Sequence, residues 1–415
     1  MSTSPPPQTK GPRVLYIMKH LVPYGVERQI LELCRALDGR ATLGMLALGG
    51  GPFEREFAAL NVPIHICPAR LQTPLRQRLP VGRGLFASAL AAAREFGPDI
   101  IHAQHTPRVW ELAAMVCQSL DVPLVVHLHG PYGRAARLPG GPRPWYRSLA
   151  RPLGMAVSRW IEGRALRALR SVYQEERLRV IAASHGVGKT FTDETGMPHR
   201  TVYPAVDVPA LREHAAKRVG IRDELCLPPD ARLVAMAARI QPQKDPVASI
   251  RCAQRVCAQR PDTHFVWAGG GDQGEVTRAT EAAGLRGRFH WLGHRDDAMA
   301  IVREADVFLL LSRWEGLPTV LIEALLLGVP AVATDVIGSN EAVRDGVDGF
   351  CVPSGDAAAA ANCVLRLLGD PELSHGMGEA GRAGAEERFS MARLAEGTLA
   401  VYHELLAGSR YAADA

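Results

Sequence analysis

Short apolar runs alternate with longer amphipathic runs along the whole chain, and this alternation predicts the secondary structure. In the first half, strand-like runs lie at 14–18, 42–48, 63–66, 99–102, 123–128 and 180–183. In the second half, they lie at 233–238, 264–268, 288–292, 307–311, 331–334 and 349–352. Helical patterns fall between them, for example at 26–37, 85–96, 247–259, 272–283, 319–327 and 357–368. Strands that alternate with helices predict βαβ units and parallel sheets.

Two successive sets of these units predict an α/β fold with two Rossmann-like domains, each with ligand loops at the carboxyl ends of its strands. We expect a disordered arm at 1–11, domains at 12–207 and 231–388, and a final helix within 389–415. Four prolines and no periodic apolar run mark 203–230 as the seam, so we expect a linker at 208–230.

Composition excludes several classes of protein. The chain has 415 residues, 47% of them hydrophobic and 22% charged, as in globular proteins. No apolar run is long enough to span a bilayer, and the first ten residues lack the apolar core of a secretory signal. Eight scattered cysteines without a CxxC pair predict reduced thiols and a cytoplasmic location rather than disulfides or a zinc site.

Positive charge is concentrated in one segment. The net charge is +5, but residues 131–180 hold eleven arginines against three glutamates. A helical pattern at 149–169 places Leu153, Val157, Trp160 and Leu166 near one face, with arginines around it. Two interpretations stay open, an anionic membrane surface and a solvated helix face. Nucleic acid is disfavoured, because no known nucleic-acid module accompanies the charge.

The segment 313–330 carries the most informative chemistry. Glu315 follows a predicted strand, and Glu323 lies inside an apolar helical run, where a carboxylate must be paired or hydrogen-bonded. Pro318 suits a helix start, and the free N–H groups and dipole of a helix start form an anion site. An anion site between two acidic groups matches a nucleotide diphosphate sugar, which has a pyrophosphate between two sets of hydroxyls.

Two cations follow another predicted strand. Arg239 and Lys244 are five positions apart on the loop after 233–238. A guanidinium and an ammonium on such a loop suit a pyrophosphate. Lysine is rare, with only five in the chain, which favours a functional role for Lys244. The sequence contains no Asp-x-Asp, so we expect no metal and expect protein cations to balance any diphosphate.

Two glycine-containing motifs allow other interpretations. Gly269–Gly274 satisfies G-x-G-x-x-G, but no acidic residue ends a second strand some twenty positions on, as a dinucleotide site requires. A glycine turn near a nucleotide and a simple tight turn both stay open. The stretch 183–190 resembles the tail of a phosphate loop, although Ala183 replaces its first glycine.

Histidines lie at predicted strand ends in the first half. His129 ends one strand and is followed by a glycine that would let a ligand approach. His102 and His105 lie at a neighbouring strand end. Because these ends face the cleft of an open α/β sheet, we expect His129 to contact a sugar hydroxyl or a developing charge.

These features together resemble glycosyltransferase family 4, retaining enzymes of the GT-B fold. The resemblance rests on Arg239, Lys244, Gly269-Gly-Gly-Asp, Trp291-Leu-Gly293, Glu315-Gly-Leu-Pro, Glu323-Ala, Gly328-Val-Pro330, Gly338-Ser-Asn-Glu341 and Asp345-Gly-Val-Asp-Gly349. Near the N-terminus, Pro23-Tyr-Gly-Val-Glu27 resembles the family's glycine-rich loop, with Tyr24 in place of the usual second glycine. The resemblance implies two Rossmann-like domains that face each other across a cleft, with the last helix crossing back to the first domain.

The resemblance also implies roles for individual residues. Arg239 and Lys244 would neutralise the donor pyrophosphate, Glu323 would bind the ribose hydroxyls, and Glu315 would hold the transferred sugar. The remaining donor contacts would come from Gly25, His129, Gly269, Gly271, Gly316, Leu317, Thr319 and Val320.

We therefore expect a hexosyltransferase that moves a sugar from a nucleotide diphosphate sugar to a hydroxyl of a glycan or lipid-linked acceptor. The reaction would need no metal or cofactor and would serve cell-surface polysaccharide or glycolipid synthesis. The protein would be cytoplasmic, with residues 131–180 as a candidate contact with an anionic membrane surface. Alternatives are a nucleotide-sugar hydrolase or epimerase of the same fold and a non-catalytic nucleotide-sugar binder.

Overall fold

Two parallel β-sheets covered by helices form the protein. The computed structural model describes residues 11–22, 25–68, 81–104, 106–133, 151–216 and 220–408, with the backbone alone for 151–159. Within these ranges the first sheet has seven strands and the second has six. The α/β fold expected from the apolar pattern is thus confirmed.

The first sheet has the order β3-β2-β1-β4-β5-β6-β7, with every pair parallel. Its strands are β1 (Arg13–Met18), β2 (Thr42–Ala47), β3 (Ile64–Ile66), β4 (Ile100–Ala103), β5 (Leu124–Leu128), β6 (Leu178–Ala182) and β7 (Arg200–Thr201). Its helices are α1 (Gly25–Ala36), α2 (Glu54–Ala59), α3 (Arg83–Phe96), α4 (Pro107–Leu120), α5 (Arg151–Gln174) and α6 (His185–Thr195).

The second sheet has the order β10-β9-β8-β11-β12-β13 and is also parallel. Its strands are β8 (Arg232–Ala237), β9 (Thr263–Ala268), β10 (Phe289–Gly293), β11 (Val307–Leu310), β12 (Ala331–Thr334) and β13 (Gly349–Val352). Its helices are α7 (Val208–Ala216), α8 (Ile221–Glu224), α9 (Pro246–Gln259), α10 (Gly274–Ala282), α11 (Ala298–Arg303), α12 (Thr319–Leu326), α13 (Ser339–Ala342), α14 (Ala357–Gly369) and α15 (Pro371–Arg388). A one-turn 3₁₀ helix spans Pro242–Lys244.

Strand order fixes where each sheet can bind a ligand. The order reverses between β1 and β4 in the first sheet and between β8 and β11 in the second. At such a point the loops after the two strands diverge and leave a crevice at the carboxyl ends of the strands. Gly25 and Gln104 follow β1 and β4, while Arg239 and Glu315 follow β8 and β11. Each crevice is therefore lined by loops that the sequence predicts to carry site residues.

The apolar runs form strands because helices cover both faces of each sheet. Neighbouring residues of β1, such as Tyr16 and Ile17, are fully buried in opposite core clusters. Burial on both faces explains why these strands are continuously apolar rather than alternating.

Two local features differ from the expectations drawn from the apolar pattern. β7 has only two residues and escapes a search for apolar runs. The segment 208–230, expected to be a linker, contains α7 and α8, whose Leu211 and Ile221 are buried in the second domain's core. The prolines at 228 and 229 lie between α8 and β8, so they mark a boundary between elements rather than an unstructured connection.

The last helix, α16 (Met391–Gly408), crosses back and packs against the first domain. Its Leu394, Leu399 and Leu405 lie in the same cluster as β1 residues. The Tyr402 hydroxyl lies 2.6 Å from His102 Nδ1 and 2.9 Å from the Tyr16 hydroxyl. The three side chains are fully buried, so this helix carries hydrogen bonds as well as apolar contacts into the first domain. Among the described helices, none is long and apolar enough to cross a membrane.

Replacing Tyr402 with Phe should destabilise the protein, because the change leaves His102 Nδ1 and the Tyr16 hydroxyl without their buried partner. We expect the free energy of unfolding in urea to fall by about 1–3 kcal/mol. Tyr173→Phe is the matched control, since that ring is 37% exposed, and it should change stability by less than about 0.5 kcal/mol. Equal stability of the two variants would contradict a structural role for the Tyr402 hydroxyl.

Candidate functional site

Glu315 lies at the carboxyl end of β11 in a nearly closed pocket of partners. Its Oε1 is 2.5 Å from Lys244 Nζ and accepts a hydrogen bond from Ser312 Oγ at 2.6 Å. Gln243 Nε2 donates to the other oxygen at 3.3 Å. The Lys244 and Glu315 side chains are 13% and 7% exposed. A charge removed from water to this extent needs a partner of opposite charge, and here Lys244 and Glu315 are partners for each other.

A second ion pair fixes the loop that carries Lys244. Asp245 accepts hydrogen bonds from Arg313 Nε at 2.6 Å and from the Ala248 N–H at the start of α9. Its backbone has φ of 43°, a left-handed conformation that Asp tolerates better than most residues. The Arg313 N–H donates to the Gln243 carbonyl at 2.8 Å. The loop after β11 is therefore tied to the loop after β8 on both sides of Lys244.

Arg239 lies on the same loop as Lys244 but has a different environment. It is exposed directly after β8, and its charge lowers the pKa of Glu27 on α1, a carboxyl whose pKa is raised overall by burial. Helix α1 belongs to the first domain, so this interaction crosses the cleft. The structure therefore places Lys244 and Arg239 on one loop, one beside Glu315 and the other facing α1.

The predicted glycines Gly269 and Gly271 allow two loops to pack closely. A Cβ at 269 would lie 1.8 Å from the Ala238 carbonyl oxygen, and one at 271 would lie 2.7 Å from that of Ile240. Gly271 also has φ of 139°. The glycines thus hold the loop after β9 against the loop of Arg239, which is a sufficient structural reason for both.

Helix α12 begins at Thr319, between Glu315 and Glu323. Pro318 lies at the N-cap, one residue earlier than the first helical position. Glu323, one turn in, is partly buried, and burial raises its pKa, while Arg28 on α1 lowers it and Glu32 raises it further. Within the described residues its carboxylate makes no hydrogen bond. Glu315 and Glu323 therefore flank the first turn of one helix, which also contains Val320.

On the opposite side of the cleft, the first domain supplies Gly25 and His129. Gly25 begins α1, and a Cβ there would have no neighbour within 4 Å. The two residues before it lie outside the described part. His129 Nδ1 is 2.8 Å from Gln29 Oε1, and its Nε2 is 2.6 Å from Gln104 Oε1. Two amide groups therefore fix the imidazole in the plane of these contacts.

The two domains meet at Gly316. A Cβ on this residue would lie 1.9 Å from the carbonyl oxygen of His129, so only glycine fits. On the other side, a Cβ at Gly338, which has φ of 81°, would lie 2.1 Å from the Gly316 carbonyl oxygen. Leu317 follows and is 4% exposed. The predicted residues His129, Gly316 and Leu317 are thus brought together by a backbone contact between the domains.

The other candidate histidines behave differently. His102 lies within β4, fully buried beside Tyr402, and burial together with His127 holds its pKa well below the usual range. Its side chain lies between Tyr402 and His127 in the interior of the first domain rather than at the cleft. His105 lies outside the described residues.

The phosphate-loop resemblance at 183–190 does not extend to its lysine. Lys189 points along the surface of α6 and pairs with Asp193 at 2.8 Å, with both side chains exposed. A phosphate-binding lysine must reach back over the helix start. Ser184 in the same stretch is the N-cap of α6 and also contacts the second domain, which the motif does not suggest.

Comparisons with known proteins identify the family. The profile described as Glycosyltransferase Family 4 matches residues 23–209, and that described as Glycosyl transferases group 1 matches residues 220–384. The chain belongs to glycosyltransferase family 4. It is therefore an enzyme, a hexosyltransferase, as the sequence motifs predict.

Two curated relatives and one solved structure illustrate the range of this family. The α-D-kanosaminyltransferase of Streptomyces kanamyceticus is 26% identical over 294 residues, which cover 70% of this chain and 73% of that protein. The UDP-Gal:α-D-GlcNAc-diphosphoundecaprenol α-1,3-galactosyltransferase of Escherichia coli is 25% identical over 66% of this chain and 68% of its own length. The crystal structure of Anabaena HepE in complex with UDP matches with a TM-score of 0.75 at 20% identity, over 94% of this chain and 100% of that one. At 20% identity this match shows only that the two proteins share a fold.

The geometry of this family 4 glycosyltransferase brings most predicted residues to one cleft. The sequence did not indicate several residues that hydrogen-bond to His129, Glu315 or Gly316; they are Gln29, Gln104, Ser184, Gln243 and Ser312. Their side chains are neutral and common in loops, so no local pattern distinguishes them. A serine directly before a helical pattern is the one signal that could have pointed to Ser184.

Replacing Gly316 with Ala should push the domains apart, because the new Cβ cannot share space with the His129 carbonyl oxygen. A misplacement of about 1 Å costs roughly a hundredfold in rate, so we expect kcat/KM to fall by about that factor. The matched control is Gly369→Ala at the end of α14, where a Cβ meets nothing within 4 Å. Full activity of the Gly316 variant would show that the closed contact is unnecessary.

Proposed function

We propose that the protein is a retaining, metal-independent glycosyltransferase that uses a nucleotide diphosphate sugar and a glycan or lipid-linked acceptor. The observation that carries the proposal is the Lys244–Glu315 pair at the start of α12, with Gly316 held against the first domain. These groups supply an ammonium, a carboxylate and a helix N-terminus within one short stretch of the cleft.

Charge balance assigns the donor groups to these residues. The leaving diphosphate gains negative charge as the bond to the sugar breaks, and Arg239, Lys244 and the first N–H groups of α12 stabilise it. The donor glycines of the sequence prediction, Gly25, Gly269 and Gly271, line the loops around it. An ammonium has three N–H groups, so Lys244 can bind a phosphate oxygen while it keeps Glu315.

Glu315 and Glu323 bind the two sugars of the donor in this proposal. Glu323 is partly buried and makes no hydrogen bond within the described residues, so ribose hydroxyls would supply the partners that its carboxylate lacks. Glu315 would hold the hydroxyls of the transferred sugar. His129, whose two ring nitrogens contact Gln29 and Gln104, would bind that sugar from the first domain by exchanging one of these contacts for a sugar hydroxyl.

The sugar transfer itself needs no protein nucleophile in this scheme. The bond between the sugar's anomeric carbon and the phosphate oxygen breaks, and the acceptor oxygen bonds to the same face of that carbon. The acceptor's proton passes to the departing phosphate, so the products are the glycoside and the nucleoside diphosphate. Retention of the anomeric configuration follows from attack on the face that the leaving group occupied.

The relatives support the choice of donor and acceptor class. HepE crystallises with UDP and with UDP-glucose, and the Escherichia coli relative is named for a UDP-galactose donor and a diphosphoundecaprenol acceptor. A nucleotide sugar and a lipid-linked glycan are therefore the first substrates to test. Such an acceptor also fits a role in cell-surface polysaccharide or glycolipid synthesis.

Association with the cytoplasmic membrane face is part of the proposal. Helix α5 packs inward through Leu169 and Val172, while Trp160 is 49% exposed. Arg167 and Arg170 are exposed on the same helix. An exposed indole beside cations suits the interface of an anionic bilayer. The side chains of 151–159, including Leu153 and Val157, lie outside the described residues.

A panel of nucleotide sugars should identify the donor. A ligand that binds only the folded protein raises its melting temperature, and a labelled donor should then transfer to acceptor lipid without added metal and with EDTA present. Lys244→Ala should reduce kcat by about a hundredfold or more, because one charge partner of the leaving group is lost. Lys189→Ala, which also breaks a lysine–carboxylate pair, is the control and should keep full activity.

Two results would contradict this assignment. Release of free sugar at the same rate with and without acceptor would indicate the hydrolase instead. Full turnover by Lys244→Ala would remove the lysine from the donor site. NMR of the product's anomeric proton separates retention from inversion.

Charge reversal on α5 should weaken membrane binding. The protein should sediment with vesicles that contain anionic lipid at low salt and poorly with neutral vesicles, because each exposed cation contributes about 1 kcal/mol near an anionic surface. Arg167→Glu with Arg170→Glu should reduce recovery, whereas Arg251→Glu with Arg255→Glu on the exposed face of α9 should not. Equal recovery of the protein with anionic and with neutral vesicles would argue against the proposed membrane association.

A further inference from the structure

Helix α6 of the first domain begins at the donor side of the domain contact. Its N-cap, Ser184, is fully buried. The Ser184 hydroxyl donates to the Gly316 carbonyl at 2.7 Å and accepts from the Val187 N–H at 3.2 Å. One hydroxyl therefore caps its own helix and holds a backbone carbonyl of the other domain.

The hydrogen bond from Ser184 also sets the direction of the next N–H group. A trans peptide is planar, so the N–H of Leu317 points opposite to the Gly316 carbonyl that Ser184 holds. Gly338 packs on the same peptide, with a virtual Cβ 2.9 Å from the Leu317 nitrogen. No acceptor among the described residues pairs with this N–H, although Leu317 is buried. The peptide is therefore clamped from both domains with one donor left for a ligand.

A carboxylate of the second domain fixes the start of α6. Glu341 on α13 accepts from the His185 N–H at 2.7 Å with one oxygen and from the Gly186 N–H at 2.8 Å with the other. The Tyr203 hydroxyl donates to it at 3.0 Å. Burial and Glu341 raise the pKa of Tyr203 to about 12, so this hydroxyl keeps its proton at neutral pH. The positive end of the helix dipole favours the same contact.

We propose that Ser184 and Glu341 are positioning residues for donor binding. Glu341 anchors the first turn of α6 on the second domain, and Ser184 in that turn aims the Leu317 N–H at the diphosphate of the donor. The inference rests on the proposed function, because it assigns the diphosphate to this N–H. The phosphate cradle of the second domain is then complete only while the first domain is docked, which couples donor binding to domain closure.

Ser184→Ala tests the role of the hydroxyl. We expect kcat to fall and the Kd of UDP or GDP, measured by calorimetry, to rise, each by about tenfold, because the N–H loses its orientation. Ser184→Thr restores a hydroxyl and should recover most of both values. Glu341→Gln keeps Ser184 and the shape of the anchor and should show the same changes to a smaller degree.

The loss of a helix cap by itself must be separated from the loss of orientation. Asp370 caps α15 by accepting from the Leu373 N–H at 3.0 Å. Asp370→Ala should lower the melting temperature by a few degrees, as Ser184→Ala does, but should leave kcat and the nucleotide Kd unchanged.

Three outcomes would overturn the inference. The first is a Ser184→Ala enzyme with kcat and Kd within about twofold of the unaltered protein. The second is a Ser184→Thr enzyme as defective as Ser184→Ala while both remain folded. The third is failure of the unaltered protein to bind UDP, GDP or any nucleotide sugar, which refutes the proposed function itself and is seen before any variant is made.

Discussion

The contact of the Gly316–Leu317 peptide with the first domain is the constraint on which the site depends. The His129 carbonyl excludes any side chain at 316, and the Gly316 carbonyl excludes any side chain at 338. Backbone can therefore approach backbone at the centre of the cleft. A side chain at 316 would hold the domains apart and leave the helix start of α12 open to water, where its N–H groups would be weaker donors to an anion.

The buried ion pair beside this contact answers a second requirement. Lys244 and Glu315 are both largely removed from water, and either one alone would be costly. Ser312 donates to the same oxygen as Lys244, and Gln243 donates to the other oxygen, which keeps acceptor capacity for a sugar hydroxyl. The pair thus preserves a charged site in the unliganded protein. A diphosphate that arrives finds the ammonium already desolvated and held in place, so little reorganisation is needed to bind it.

The sequence predicted the sheets well and the contacts between the domains poorly, for one physical reason. Strands such as β8 and β11 are buried on both faces, so burial appears as a local apolar run. Likewise, Glu315 and Glu323 stand out because each is a carboxylate in an apolar context. In contrast, Ser184 and Gly316 are 132 positions apart, and nothing near either residue records the other. The two-residue strand β7 and the helices α7 and α8 were missed because they bury too few residues to form a periodic pattern.

A stack of aromatic rings connects His129 at the cleft to helix α16. His129 stacks on His127 with ring centroids 4.2 Å apart, and His127 stacks on His102, which contacts Tyr402 of α16. Burial lowers the pKa of His102, so this ring is neutral at neutral pH and brings no charge towards the site. Stacked rings packed in a close-packed core have few alternative positions. The helix that ends the chain therefore stabilises the orientation of His129 through packing, and the contacts of Nδ1 with Gln29 and of Nε2 with Gln104 hold the ring from its two nitrogens.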